Sequence, residues 1–302
     1  ARAALEFEQS SDFPSTELVW TLKNDLCKAN QDEETFWSKK SRAKWMHSGD
    51  MNTSFFHASV KDNRGKQHIE QLNDINGHLH KDEESKGLIV VAYFNELFKS
   101  SNPSSFQDLF EDYPSRVTEG MNTVLAGSVS KNEVRDVIFG IRSSSAPGAD
   151  WFTGFFFQKY WSIIGPQVTM EIQNFFSQGT FPKEWNFTQL CLLPKKKKPD
   201  KMTDLRPISL CSVMYKIISK IMVKRLQPFL PDLVSPNQSA FVADRLISDN
   251  ILIAHEVVHG LRTHKTVSKE FIAIKSDMSK AFDRVEWNYV KALLEALGFH
   301  QK

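Results

Sequence analysis

The stretch IKSDMSKAFDRVEW, residues 274–287, places Asp277, Asp283 and Glu286 within ten residues, directly behind a short apolar run (Phe271, Ile272, Ala273, Ile274). A run of that length predicts a strand over 271–276. The apolar residues that follow, Val285, Val290, Leu293, Leu294 and Leu297, predict a helix over 284–297. An aspartate at the carboxyl end of a strand can project its carboxylate into a crevice and ligate Mg2+, a hard cation that prefers oxygen. Asp277 holds that position. Asp283, on the turn into the helix, reads as an N-cap. An ordinary turn aspartate would suit position 277 equally well, so the rest of the chain has to decide.

Composition narrows the choice. The chain has 302 residues, enough for one large domain or two modest ones, and its 41% hydrophobic content excludes disorder throughout. Three cysteines (Cys27, Cys191, Cys211) make no disulfide framework and point to a reducing compartment. No apolar run reaches 18 residues, and residues 1–20 carry charges where a signal peptide would be apolar. The expectation is a soluble, intracellular protein with no membrane partner. The net charge of +2 hides an asymmetry: between Lys183 and Arg225 there are 11 Lys/Arg and three acids. Such a concentration suits a polyphosphate partner, although a solvated lysine loop has the same composition.

Along the chain, residues 1–60 look helical and irregular, with Trp20, Phe36, Trp37, Trp45, Phe55 and Phe56. Asn76-Gly77 predicts a type I′ hairpin near 69–80. Residues 85–99 carry Leu88, Val91, Ala92, Phe94, Leu97 and Phe98 at helical spacing, and 100–129, rich in Ser, Asn, Pro and Asp, reads as a linker. Ser130-x-x-Glu133 is a capping box opening a helix. A buried strand over 187–195 then runs into a basic loop, and 210–226 and 247–261 are apolar-faced helices. Helices first and mixed elements afterwards give an α+β order, divided at 129/130 into an extension (1–129) and a second domain (130–302).

One pattern points elsewhere. HEVVH, His255 to His259, sets two histidines on one helical face that could bind zinc, with Glu256 as general base. A catalytic zinc wants a third ligand, and His264 is off the usual spacing. The plainer reading is a helix with two exposed histidines beside core Ile251, Ile253 and Val257.

Read in order, APGAD (146–150), LLPKKKKPDKMTDLRPISL (192–210), YKIISKIMVKRL (215–226), SPNQSAFVADRLISDNILIAHE (235–256) and SDMSKAFDRVEW (276–287) resemble the reverse transcriptase of plant non-LTR (LINE-type) retrotransposons. The segment from Phe36 to His78 is similar to the linker that precedes that polymerase. The resemblance covers roughly residues 30–302. It implies a right-hand polymerase, here a helical extension followed by fingers and the start of a palm, that copies an RNA template from a DNA primer using dNTPs and Mg2+. It further implies that Asp277 is a catalytic metal ligand. Lys195 and Arg206 would hold the nucleotide's phosphates, and Phe282 would exclude a 2′-hydroxyl. Gln238, Phe241 and Arg245 would form the motif joining fingers to palm, and Lys196, Lys197, Lys198 and Lys201 would track nucleic acid. Phosphoryl transfer needs its charge neutralised more than it needs covalent help, which is why such a site is basic.

Two departures stand out. The family usually reads APGPDGF, whereas here Ala149 replaces the proline and Trp151 the glycine. Its PGR becomes Ala243-Asp244-Arg245. Each change removes a residue that takes positive φ without strain. The family's further metal-binding aspartates lie in an aromatic-Ala-Asp-Asp hairpin that occurs nowhere in 1–302. The expectation is therefore an interior piece of an element, inactive alone. A non-catalytic nucleic-acid-binding remnant is the first alternative and a zinc hydrolase the second.

Overall fold

The computed structural model describes residues 2–11, 13–41, 61, 68–103, 106–263 and 271–301. Trp45, Phe55, Phe56, His264 and most of the linker-like segment lie outside the described residues. The chain forms two compact units, Ala1–Val90 with Leu192–Arg206, and Val91–Cys191 with Pro207–Lys302. The anticipated division at 129/130 falls inside the second unit.

The first unit opens with helices α1 (Arg2–Gln9) and α2 (Thr16–Ser41). Strands β1 (Leu72–Asn73) and β2 (Leu79–His80) then pair antiparallel, Leu72 opposite His80 and Asn73 opposite Leu79. Their turn is not type I′, which needs positive φ at both central residues. Gly77 N–H donates to the Asp74 carbonyl (3.1 Å), and in this turn only Gly77 has positive φ, at +86°. That is a type I turn closed by a glycine bulge. Asp74 selects it, because its carboxylate accepts from the N–H groups of Asn76 (2.9 Å) and His78 (2.8 Å). Helix α3 (Glu83–Leu97) starts here, capped by Asp82, whose carboxylate accepts from Ser85 N–H at 2.7 Å. Its Lys86 is buried but satisfied, pairing with Glu83 (2.6 Å) and donating to the Ile69 carbonyl (2.7 Å). Of the expected apolar face of α3, Phe94 is buried, whereas Leu88, Val91 and Phe98 are exposed.

The second unit holds α4 (Gln107–Phe110), α5 (Glu119–Leu125), α6 (Lys131–Phe139), α7 (Gly154–Lys159), α8 (Trp161–Gln178) and α9 (Lys183–Asn186). Strands β3 (Gln189–Pro194) and β4 (Leu205–Leu210), each divided between the two units, pair as a second two-stranded sheet, and α10 (Val213–Leu226) follows in the second unit. Then come α11 (Leu230–Leu233), α12 (Ile247–Thr263), α13 (Ala281–Arg284) and α14 (Trp287–Leu297). The architecture is α+β, as the order of elements implied.

Its core is helical. Val134, Val137, Ile138 and Ile141 of α6 and the turn after it meet Val168 and Ile172 of α8 and Met214, Ile217, Ile218 and Ile221 of α10. The i, i+3, i+4, i+7 spacing puts each set on one face. Ser130 caps α6, its Oγ accepting from Glu133 N–H at 3.1 Å. The Glu133 side chain, expected to complete the capping box, is bound instead by Arg225.

The 100–129 stretch is more than a linker. Arg116 and Val117 N–H donate to the Leu297 carbonyl (3.0 and 2.9 Å), and Ser100 and Ser101 hold the Glu286 carboxylate. Glu286, not Asp283, sits at the N-cap of α14. The strand expected over 271–276 does not form. A strand exists only through a neighbour's ladder, and no described strand runs beside it. Phe271, Ile272 and Ile274 are exposed accordingly. Helix α12 likewise leaves Ile251, Ile253 and Val257 exposed, so these are not core residues.

Both positions where the resembling family carries glycine have left-handed backbone here: Trp151 has φ +60° and Asp244 φ +62°. Trp151 N–H closes a turn onto the Gly148 carbonyl (3.1 Å), and Gly148 is irreplaceable because a Cβ there would lie 2.6 Å from Ser212 N. Trp151 is 80% exposed, so its indole contributes little packing to offset the strain. Trp151→Gly should raise stability by roughly 1 kcal/mol, since left-handed φ costs a non-glycine residue about 1–2 kcal/mol. Urea unfolding midpoints of the two proteins check this; a lower midpoint for the glycine variant would contradict it.

Candidate functional site

Lys195 directly follows β3 and Arg206 lies in β4, with the basic loop between them. Lys195 N–H donates to the Asp204 carbonyl (2.8 Å) and its Nζ to the Thr203 carbonyl (2.9 Å). Lys196 is spent internally, its Nζ 2.9 Å from both Asp200 Oδ1 and Asp204 Oδ2. These two carboxylates hold the Lys196 amine above its ordinary pKa, Asp204 contributing most. In return, the lysine's hydrogen bond brings the Asp204 carboxyl down to about 2. Lys196, which the sequence assigned to nucleic acid, thus closes the loop with its charge balanced by two carboxylates. Lys197, Lys198, Lys201 and Arg206 are exposed, and their side-chain charges have no partner among the described residues. Buried Met202 and Leu205 anchor the loop from below, and Asn73 N–H of β1 donates to the Asp200 carbonyl at 2.7 Å. The hairpin assigned to the extension thus braces the basic loop, a contact between distant segments that no local pattern announces.

The net positive stretch is smaller in effect than its count. Lys216 Nζ donates to the Ala146 carbonyl (3.0 Å), and Arg225 is bound by Glu133.

In the second unit, Arg245 closes the 231–245 segment. Its guanidinium donates to the carbonyls of Ser235 (2.6 Å), Gln238 (2.7 Å) and Pro231 (3.2 Å). Gln238 Nε2 donates to the Ala240 carbonyl at 3.2 Å. Phe241 stands 98% exposed at φ +66°. Gln238 and Arg245 thus come together through the backbone, and Phe241 projects outward.

Asp277 is exposed on the unpaired 271–278 segment. Lys280 turns the chain just after it, at φ +55°, with Nζ 4.0 Å from the Tyr93 ring centroid. Burial lowers its pKa. Phe282, the expected sugar gate, is 99% exposed. Lys280 was missed by sequence reading; only its place between Asp277 and Phe282 could have marked it.

Residues 193–302 match the family described as reverse transcriptase (RNA-dependent DNA polymerase). The match is confined to that portion of the chain. The "Transposon TX1 uncharacterized 149 kDa protein" of Xenopus laevis is 29% identical over 86% of this chain and 20% of its own length. The "Retrovirus-related Pol polyprotein from type-1 retrotransposable element R1" of Bradysia coprophila is 27% identical over 54% of this chain and 16% of its own. The corresponding polyprotein of type-1 element R2 from Popillia japonica is 23% identical over 57% and 23%. The chain thus spans about a fifth of the length of the curated relatives it matches. Among the described residues no helix is long and apolar enough to cross a membrane.

Reverse transcriptases generally use Mg2+. The described residues gather no group of three His, Cys, Asp or Glu side chains that could hold a metal. Asp277 alone offers too few oxygens for an ion that demands near-octahedral coordination, so the described residues do not by themselves fit Mg2+. His255 and His259 likewise find no third ligand among the described residues, and His264 lies outside them.

The Lys196–Asp204 clamp has a pH signature. A carboxylate with a depressed pKa contributes fully above its ordinary value of 3.8 and loses that contribution as pH falls towards about 2. Carboxyl-carbon NMR titration should find Asp204 near 2, returning towards 3.8 in Lys196→Met. A native Asp204 that titrates near 3.8 would remove the clamp.

Proposed function

We propose that this chain is polymerase sequence of a LINE-type retrotransposon of the plant kind, which inside the cell contributes nucleotide and primer–template binding to RNA-directed DNA synthesis from an RNA template, a DNA primer and dNTPs, and does not polymerise by itself. The observation that carries the reading is the exposed Arg206 guanidinium, beside a family match that begins at the β3–β4 pair. A planar fork with five donors suits triphosphate oxygens, and Pro207 stiffens the strand behind it. Lys195 keeps two N–H donors beyond its bond to Thr203 and serves the same phosphates. Lys197, Lys198 and Lys201 run along the template–primer backbone. Asp277 supplies one carboxylate to a metal site that needs others, Phe282 meets the sugar, and Arg245 keeps the Gln238–Phe241 turn in shape. Three unpaired thiols fit a reducing compartment.

A purely nucleic-acid-binding remnant is the competing reading, favoured by the lone carboxylate. Photo-crosslinking of an azido-dNTP, measured beside the primer–template Kd, separates the two. Arg206→Ala should cut dNTP crosslinking roughly 10-fold or more, the worth of one charge-assisted contact, with little change in primer–template Kd. Lys197→Ala with Lys198→Ala should instead lower the salt slope of primer–template binding by about 1–2. Equal losses in both assays for Arg206→Ala would favour the remnant.

A further inference from the structure

Away from these residues, the second unit carries an open pocket of about 260 Å3, lined by Glu171, Asn174, Gln178, Phe181, Pro182 and Trp185 with Thr180 at its edge. Two elements build it. Glu171, Asn174 and Gln178 fall at i, i+3 and i+7 on α8 and so share one face. At the end of α8, left-handed Gly179 (φ +71°) folds the chain back, its N–H donating to the Phe175 carbonyl at 2.8 Å. That return lays Phe181, Pro182 and Trp185 opposite the α8 face.

The pocket's chemistry is specific. The rings of Phe181 and Trp185 are nearly parallel, 18° between planes with centroids 6.4 Å apart. Both are held from beneath: Phe175 meets Phe181 edge-on at 5.3 Å, and Trp185 packs against the helical core. Trp185 is also fixed through its carbonyl, which accepts from Ser212 Oγ at 3.0 Å. A near-parallel aromatic pair, supported by its neighbours, is therefore in place before any ligand arrives. Around it stand the carboxamides of Asn174 and Gln178, whose side chains have no partner among the described residues, and the Glu171 carboxylate, which accepts from Gln167 Nε2 at 2.8 Å on one oxygen. Lys183, exposed and likewise unpartnered among the described residues, follows Pro182 at the rim.

An aromatic ring face, donors and acceptors at its edge and a cation one residue outside are what an unpaired nucleotide needs. The volume falls below that of drug-sized sites and suits a single base. We propose that this pocket is a binding site for one unpaired base of a single-stranded nucleic acid, stacked on Phe181 and Trp185, with Lys183 on its phosphate. The Glu171 carboxylate gives the site a preference. It accepts from an amino group and repels a carbonyl, so a base with an exocyclic amine, such as cytosine, is held better than uracil.

The inference rests on the nucleic-acid-binding part of the proposed function. The test compares the Kd of residues 1–302 for (rC)8 and (rU)8 at one fixed salt concentration. (rC)8 should bind about 5- to 10-fold more tightly, the worth of one edge contact at an exposed site. Glu171→Gln, a surface change that leaves the ring floor intact, should abolish that difference. Trp185→Phe should weaken both oligonucleotides several-fold while circular dichroism stays unchanged. Equal binding of the two oligonucleotides by the native chain, with its salt dependence intact, overturns the pocket and leaves the basic loop's role standing. Absence of binding to either, and to primer–template, overturns both.

Discussion

The second unit depends on one side chain. Arg225, near the end of α10, makes a two-pronged pair with Glu133 (2.7 and 2.9 Å) and donates to the carbonyls of Leu125 (3.0 Å), Gly127 (2.6 Å) and Ser128 (3.1 Å). Its guanidinium also lies 5.5 Å from the Phe176 ring centroid. One residue thereby satisfies the orphan carbonyls at the end of α5, fixes the start of α6 and touches α8. The side chain is 11% exposed, so its charge is tolerated only because every prong is used. Removing one partner of so enclosed a pair strands the other, typically at about 3–5 kcal/mol. With α10 pinned at its end, its Ile217 and Ile221 stay fully buried in the core.

This arrangement sorts the basic residues by task. Charge is concentrated between Lys183 and Arg225, yet Lys196, Lys216 and Arg225 serve the protein itself. Among the cations left for a partner is a short row on the 195–206 loop, braced from beneath by Met202, Leu205 and the 72–80 hairpin. A loop held in this way presents its free cations without having to order them on binding, which lowers the entropic cost of recognition.

Much of this was legible in the sequence. The α+β order, the helix spacing of α6 and α10 and the Ser130 cap follow from local rules that the structure obeys. The glycine-to-tryptophan and glycine-to-aspartate departures foretold strain where Trp151 and Asp244 now hold left-handed backbone. What failed was non-local. The 271–276 strand depends on a neighbour that composition cannot supply, and the faces of α3 and α12 were read as core although burial requires a partner. Glu133 and Lys196 were assigned by motif, but each is claimed by an oppositely charged residue brought to it by the fold. Among the site residues, the 195–206 set comes together on one strand pair and Gln238 with Arg245 on one turn. Asp277 and Phe282 remain exposed, Asp277 beside a segment that pairs with no described strand.

The central claim is that the described residues hold the phosphate-binding cations of a reverse transcriptase but a single carboxylate of its metal site. Extension of a DNA primer on an RNA template by residues 1–302, with Mg2+ or Mn2+ and beside Asp277→Ala, tests it most directly. Two-metal phosphoryl transfer needs several carboxylates to position both ions. The expected result is salt-sensitive binding of the primer–template with no extension. Template-directed synthesis by the native chain that disappears in Asp277→Ala would contradict the claim.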